Sequence, residues 1–521
     1  MPFNLKGIPT GMLAKVISAT LSGIEGVPVD VEVDISNGLP SFTIVGLPDQ
    51  SVQESRERIR SAIKNSDLNF PVKRITVNLA PADIKKEGPA FDLPIAIGIL
   101  IASEALAPKM EEPFLIVGEL SLDGTIRPVN GIISIAIMAR DLKIPVMFVP
   151  YENSSEAALI PGIKVYGIKN LTDLVQFLNG AISLSPSEPA RSIKINEFSG
   201  DFNEVKGQES AKRALEIAAA GFHNVIMVGP PGSGKTMLAQ RLPTILPPLT
   251  EEEALEVTRI YSSAGLLPKG GGIIEERPFR SPHHSISLAG MVGGTSNPKP
   301  GEISLAHNGV LFLDEFPEFR RDVLEALRQP MEDGSLVISR AHGSIRFPAR
   351  FMLVASMNPC PCGYLGDTKK NCTCTQYQIE KYFSKISGPI LDRIDIQIEV
   401  PRLETDTLIR NTPGEGSNFI RDRINRVREF QIDRFKDGFR FNGLMTPREI
   451  KKYCRLNPPV QSLLREIIDK FHLSARSYDK LLKVARTIAD LNESEFIREE
   501  DILEAIQYRI LDRKYWEKKF S

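Results

Sequence analysis

Asn224-Val-Ile-Met-Val-Gly-Pro-Pro-Gly-Ser-Gly-Lys-Thr236 is the stretch around which the rest of the chain is read. The apolar run Val225–Val228 suits a strand buried on both faces, and Met237-Leu-Ala-Gln-Arg241 suits the helix that follows it. Between them Gly229, Pro230, Pro231, Gly232, Ser233, Gly234, Lys235 and Thr236 spell G-x-x-x-x-G-K-[ST], a phosphate-binding loop. Its glycines let successive backbone N–H groups turn inward around the β- and γ-phosphates of a nucleotide. Lys235 adds a point charge there, and the Thr236 hydroxyl is placed to ligate Mg²⁺. A Gly-rich turn can precede a helix by chance, but the flanking strand and helix, and the partners below, weigh against that. The chain is expected to bind a nucleoside triphosphate.

Val310-Leu-Phe-Leu-Asp-Glu-Phe316 is an apolar, strand-like run that ends in two carboxylates. In a parallel sheet such a strand is buried, and ligands sit at its C-terminal end. Asp314 is placed to hold the Mg²⁺ shell and Glu315 to polarise the attacking water; the alternative is a strand terminated by solvated acids. Phe351-Met-Leu-Val-Ala-Ser-Met-Asn358 is a further buried strand, ending in an amide. Composition narrows the class. A net charge of −1 over 521 residues gives no global basic field, so contact with nucleic acid must come from local patches. At ~150 residues per domain the length suggests roughly three or four domains. Phe91–Ala107 is the most apolar stretch, but Asp92, Pro94 and Glu104 interrupt it, so it reads as a core helix with no membrane role. Met1-Pro-Phe-Asn-Leu-Lys6 lacks the profile of a secretory signal. Four of the five cysteines are clustered and no spread framework is present, which fits a reducing cytosol, and a cytoplasmic protein is expected.

Residues 1–180 alternate strands and helices. Val27–Ile35 and Ser41–Val45 flank an Asn37-Gly38 turn, then come a helix at 50–64, a strand at 74–79 and helices at 91–104 and 132–141. This is the pattern of an α+β domain. Lys86-Glu-Gly-Pro-Ala-Phe-Asp-Leu-Pro-Ile-Ala96 resembles the segment that holds the nucleophilic serine of Lon proteases. Gly118–Ile132 resembles the strand pair before that family's catalytic lysine. Ala90 stands where the serine should be and Ile133 where the lysine should be, so no Ser–Lys dyad exists and peptidase chemistry is excluded. Such a domain suits assembly or substrate contact. Lys85 and Lys86, in the segment corresponding to the old active-site groove, are the favoured nucleic-acid contacts over Arg56, Arg58, Arg60, Lys73 and Arg74.

A serine- and proline-bearing linker occupies 181–197. The core at 198–400 then resembles AAA+ ATPases. Gln208, in Asp201–Gln208, falls in the adenine-contacting segment, and Asn358 matches the sensor-1 position, where an amide orients water near the γ-phosphate. Gly388-Pro-Ile-Leu-Asp-Arg-Ile-Asp-Ile396 resembles the arginine-finger segment of the helix-2-insert clade, which includes magnesium chelatase and the MCM helicases. The resemblance implies that Arg393 reaches a neighbouring subunit's site, and hence a ring. Arg476 resembles sensor 2, contacting the nucleotide in cis from the lid. Pro278–Gly294 corresponds to the helix-2 insert and Leu336–Phe347 to the pre-sensor-1 hairpin. In that clade both point into a central channel, which would put Arg340, Arg346 and the tip residue His342 on a phosphate backbone. His283-His284 has no acidic or thiol partner at ligand spacing, so a channel or insert role is favoured over metal.

Cys360, Cys362, Cys372 and Cys374 form two C-x-C pairs within 360–374. Four thiolates suit a closed structural zinc site; disulfides and free thiols are the alternatives. Residues 401–521 read as an all-α lid, with an arginine-rich helix at 420–438 (Arg421, Arg423, Arg426, Arg428, Arg434) and a basic tail from Arg513.

Taken together, the silent Lon-like domain, the phosphate loop, the His283-His284 insert, the C-x-C pairs and the lid segment Ala485–Leu491 resemble the ComM (YifB) family of magnesium-chelatase-like AAA+ proteins over essentially the whole chain. The resemblance implies a multidomain α/β protein and a hexameric ATPase that uses ATP and Mg²⁺. It also implies a DNA motor, on single-stranded or branched DNA, that acts as a helicase in branch migration during homologous recombination and natural transformation (competence). A magnesium-chelatase-like motor subunit and a protein-remodelling chaperone are the other readings.

Overall fold

In a computed structural model of the chain the described residues are 13–83, 85–86, 88–195, 200–268, 270–294, 299–340, 343–367, 369–403, 414–438, 440–471 and 473–509. His342, the side chain of Arg340 and the basic tail from Arg513 lie outside this description. The chain divides into two compact units, one of residues 1–193 with 255–274 and one of 194–254 with 275–521.

The first unit is built on a seven-stranded mixed sheet in the order Ser41–Val45, Arg74–Ala80, Glu25–Ser36, Leu13–Ser22, Phe114–Ile116, Val146–Pro150, Lys164–Ile168. The period-2 pattern read at 27–35 is realised there: Val29, Val31, Val33 and Ile35 are buried and the residues between them are not. The helix Asp92–Ala102 is buried at every position but Ile101, so the most apolar stretch of the chain is core. Asp49 caps the helix Gln50–Asn65 by accepting from the Val52 N–H at 2.8 Å. Residues 255–274 also belong to this unit. Within it Arg259 donates to Ser134 Oγ at 3.0 Å, and Ile273–Ile274 pairs in parallel with Ser192–Ile193, a short strand inside the stretch read as linker.

The second unit holds a five-stranded sheet, parallel throughout, in the order Phe279–Arg280, Val310–Leu313, Met352–Met357, Val225–Val228, Ile396–Glu399. The three strands read as doubly buried are the three central ones, and every residue in them is buried. An antiparallel hairpin, Ser335–Arg340 with Gly343–Pro348, stands apart as its own two-stranded sheet. From Ser417 onward the described structure is helical, with the helices Ser417–Phe435, Pro447–Tyr453, Pro458–Phe471, Ala475–Leu491 and Glu499–Gln507. The protein is thus mixed α/β with a parallel-sheet core and a C-terminal helical region. Among the described residues no helix is long and apolar enough to cross a membrane.

The arginine-rich helix Ser417–Phe435 is largely engaged within its own unit. Arg423 pairs with Glu216 at 2.6 Å and with Glu415 at 2.5 Å, Arg434 forks onto Asp490 at 2.6 Å, and Arg428 is buried over the Phe441 ring. Cys454 is a buried core thiol, pushed up to about 12 by burial.

Candidate nucleotide site

The loop after Val228 is shaped by two glycines with positive φ, Gly232 at +75° and Gly234 at +94°, a region that residues with a Cβ rarely adopt. Gly234 sits immediately before the helix Lys235–Arg241, so that helix's unpaired N–H groups face the loop. Lys235 is 8 % exposed, and its Nζ donates to the loop carbonyls of Gly229 at 2.7 Å and Pro230 at 3.0 Å, and to Asn358 Oδ1 at 3.4 Å. Burial pulls this ammonium down to about 8, against the attraction of Asp314. Thr236 Oγ1 donates to Asp314 Oδ2 at 2.8 Å. The lysine, hydroxyl, carboxylate and amide singled out in the sequence therefore converge at the C-terminal ends of three adjacent parallel strands. This is where an α/β sheet binds its ligand.

Gln208 joins this group from the other side. Its Nε2 donates to Pro401 O at 2.6 Å and to Ser233 O at 3.2 Å, tying the segment before the helix Glu209–Gly221 to the phosphate loop. Two hard oxygen donors, Thr236 Oγ1 and Asp314 Oδ2, lie side by side, which is the chemistry Mg²⁺ takes. Asp314 is itself held: Oδ1 accepts from the Ser356 hydroxyl and from the Glu315 N–H at 3.0 Å. Ser356 was not singled out in the sequence, although it lies two residues before Asn358 on the same strand.

Glu315 has left-handed backbone angles (φ +52°, ψ +46°), which turn it off the strand direction of Val310–Leu313. Its carboxylate lies 3.2 Å from His284 Nδ1. The His283 and His284 rings are 4.1 Å apart, and His284 meets Phe319 edge-on. The histidine pair is thus joined to the carboxylate read as the water-polarising group, a link that spacing along the chain does not disclose.

The four cysteine sulfurs lie within 4.8 Å of one another. Cys360 Sγ is 3.3 Å from Cys362 and 3.6 Å from Cys372, and Cys362 is 3.6 Å from Cys372. These separations are far beyond a disulfide bond and near the about 3.8 Å between sulfurs of a tetrahedral zinc site. All four are free thiols, so the donor set fits zinc and leaves the disulfide alternative unused here. The loop they form abuts the phosphate loop: a Cβ on Gly363 would lie 2.7 Å from Pro231 Cδ.

The two arginines assigned to phosphate sensing stand elsewhere. Arg393 donates to Pro389 O at 2.6 Å through Nη1 and to Glu332 through Nη2. Arg476 lies in the first turn of the helix Ala475–Leu491, with its Nη2 3.8 Å from the same Glu332 carboxylate. No contact links either side chain to the phosphate loop of its own chain among the described residues. Of the nucleic-acid candidates, Arg346 is exposed on the second hairpin strand and Lys85 is exposed. Lys86 is not a surface residue. Its side chain is turned inward, its ammonium donates to Pro81 O, and its backbone bonds to Leu47 and Asp49. Arg58 is likewise committed, to the buried Asp92 at 2.8 Å.

Comparison with known proteins agrees with this arrangement. Family models for magnesium chelatase subunit ChlI match residues 31–153 and 201–408, and the model for its C-terminal region matches 414–509. The chain is 47 % identical to "Competence protein ComM" of Haemophilus influenzae over 96 % of its own length and 98 % of that protein. It is 45 % identical to "Uncharacterized protein YifB" of Escherichia coli over 94 % of its length and 96 % of that protein. Similarity to the "Magnesium-chelatase 38 kDa subunit" of Rhodobacter capsulatus is 29 % and spans 30 % of this chain and 50 % of that one. A parallel-sheet nucleotide fold matched end to end at this identity places the chain in the ComM/YifB family of magnesium-chelatase-like AAA+ proteins.

Proposed function

We propose that the chain is an ATP-hydrolysing, ring-forming motor that acts on DNA in the cytoplasm, as a helicase or branch-migration factor serving homologous recombination and natural transformation. The observation that carries the ATPase reading is the convergence of Lys235, Thr236, Asp314 and Asn358 at the C-terminal ends of the central strands, with Glu315 alongside. Lys235 and the loop N–H groups bind and orient the phosphates of ATP, and Gln208 braces the loop from the adenine side. Mg²⁺, held by Thr236 and Asp314 when bound, neutralises phosphate charge. Ser356 keeps the Asp314 carboxylate turned towards Thr236. Glu315 accepts a proton from water as its oxygen bonds to the γ-phosphorus. The bond from that phosphorus to the bridging oxygen breaks, with Asn358 orienting the water. Arg393 serves the neighbouring subunit. Because Arg476 shares its carboxylate, we assign Arg476 to the same subunit-facing group in place of the cis role its position suggested.

DNA as the substrate is supported by the hairpin with Arg340 and Arg346, and a role in competence by the name of the Haemophilus relative. Residues 1–180, Lon-like with Ala90 and the buried Ile133 at the dyad positions, would serve assembly or substrate contact. The test is ATPase rate with and without single-stranded or branched DNA, at low and moderate salt. Salt-sensitive stimulation that disappears in Arg340→Ala/Arg346→Ala is expected. An assembled ring indifferent to every DNA form would sink the reading.

Zinc, when held by the four cysteines, would supply a cross-link with no open position for chemistry. Since their loop abuts Pro231, we expect Cys360→Ser/Cys362→Ser to lose one equivalent of zinc by elemental analysis and to weaken nucleotide affinity roughly tenfold. Full affinity in a metal-free protein would refute the coupling.

A further inference from the structure

Among the described residues Glu332 is the carboxylate that meets both Arg393 and Arg476, and it stands at the base of the hairpin. It occupies the last turn of the helix Arg328–Asp333. Gly334, at φ +61°, ends that helix by donating to Pro330 O at 2.9 Å, and Ser335 opens the first hairpin strand. The Gly334 carbonyl accepts from Ala349 at 2.9 Å, just past the second strand, so the hairpin's base is hydrogen-bonded two residues from Glu332.

The arginines are delivered by rigid supports. The Arg393 carbonyl accepts from Asn224 Nδ2 at 3.2 Å, and Asp395 accepts from the Asn224 N–H at 2.9 Å, which anchors this segment to the start of the phosphate-loop strand. Asp395 also takes Lys480 Nζ at 2.8 Å. Lys480 follows Arg476 by four residues on the same helix face, so this buried pair fixes where Arg476 emerges. With its backbone anchored, the Arg393 guanidinium has both Nη atoms committed within its own subunit, to Glu332 and Pro389 O, while its buried Nε has no partner among the described residues. The Arg393 guanidinium in turn holds the Glu332 carboxyl below the usual carboxylate range.

We propose that Glu332 is a positioning residue that holds Arg393 and Arg476 in readiness and yields them to a neighbouring subunit's phosphate, its grip set by the state of the hairpin. The inference rests on reading Arg393 as a finger used in trans. A phosphate oxygen and the Glu332 carboxylate are two anions competing for one guanidinium, so weakening the carboxylate favours the phosphate. Hairpin strain at Gly334 would do what the mutation does, which makes polymer stimulation and Glu332 parts of one device.

The variants are Glu332→Gln, Glu332→Asp and Glu332→Gln on an Arg393→Ala background, as full-length assembled protein. Glu332 is about half exposed, so neither of its single substitutions disrupts a core. Without DNA, Glu332→Gln should raise kcat roughly three- to tenfold with KM unchanged, the difference between a charged and a neutral hydrogen-bond partner. Stimulation by single-stranded DNA should fall towards unity. Glu332→Asp, which keeps the charge, should stay near the parent, and the rise should vanish without Arg393. A DNA-free rate that falls or stays level in Glu332→Gln, or a rise that persists without Arg393, overturns the proposal. If Arg393→Ala alone leaves turnover intact, it is the finger reading that has failed, and that is visible before Glu332 is altered.

Discussion

Glu315→Gln is expected to lower kcat for ATP by about 10²–10⁴, the range supplied by a positioned proton acceptor, while leaving nucleotide binding intact. The separation follows from geometry. Binding is carried by Lys235, the loop N–H groups and the Thr236–Asp314 pair, none of which bonds to the Glu315 side chain; only the Glu315 backbone N–H touches Asp314. Glutamine keeps the volume and still pairs with His284, now 3.2 Å from the carboxylate, but it cannot take a proton from water. Glu315 is more than half exposed, so the change should not disturb folding. The measurement is single-turnover hydrolysis beside equilibrium binding of a fluorescent ATP analogue. Loss of binding together with turnover would mean that Glu315 belongs to the phosphate cradle, and hydrolysis at the parent rate would remove it from the chemistry.

Much of this site was legible because its parts are contiguous in sequence. Gly229–Thr236, Asp314-Glu315 and Asn358 each end a run of apolar residues, and a parallel sheet brings the ends of buried strands together whatever lies between them. The reading was weaker wherever a role depends on a partner from another element. Nothing in the spacing of Ser356, His284 or Glu332 says that they meet Asp314, Glu315 and Arg393; tertiary convergence alone makes those pairs. Charge was the least reliable sign. Lys86 looks like a surface cation beside Lys85, yet its backbone bridges to Leu47 and Asp49 and its side chain is drawn inward. The arginines of 417–435 look like a basic stripe, yet Glu216, Glu415 and Asp490 take up two of them and burial takes a third. The excursion 255–274 escaped for a related reason, since amphipathic helices and short strands carry no label for the unit they join.

Arg393→Ala should cost at least ~10³ in turnover if its guanidinium completes the neighbour's site, because a finger's charge offsets the transition-state phosphoryl group. In its own subunit that guanidinium is 11 % exposed and turned to Glu332, so the variant's phosphate loop is untouched and ATP affinity should match the parent. That makes the trans role separable from a structural one. Lys235→Ala has the opposite lesion, an intact finger beside a loop that no longer binds phosphate. Mixed in equal amounts and allowed to exchange subunits, two inactive proteins should regain activity. Random placement joins a sound loop to a sound finger at about a quarter of interfaces, so recovery should approach that fraction of the parent rate. Arg476→Ala mixed with Lys235→Ala should behave alike if Arg476 faces the neighbour with Arg393, and should stay inactive if it serves its own subunit. Mixtures of Arg393→Ala with Lys235→Ala that remain inactive after exchange would place the finger in cis and remove the requirement for a ring.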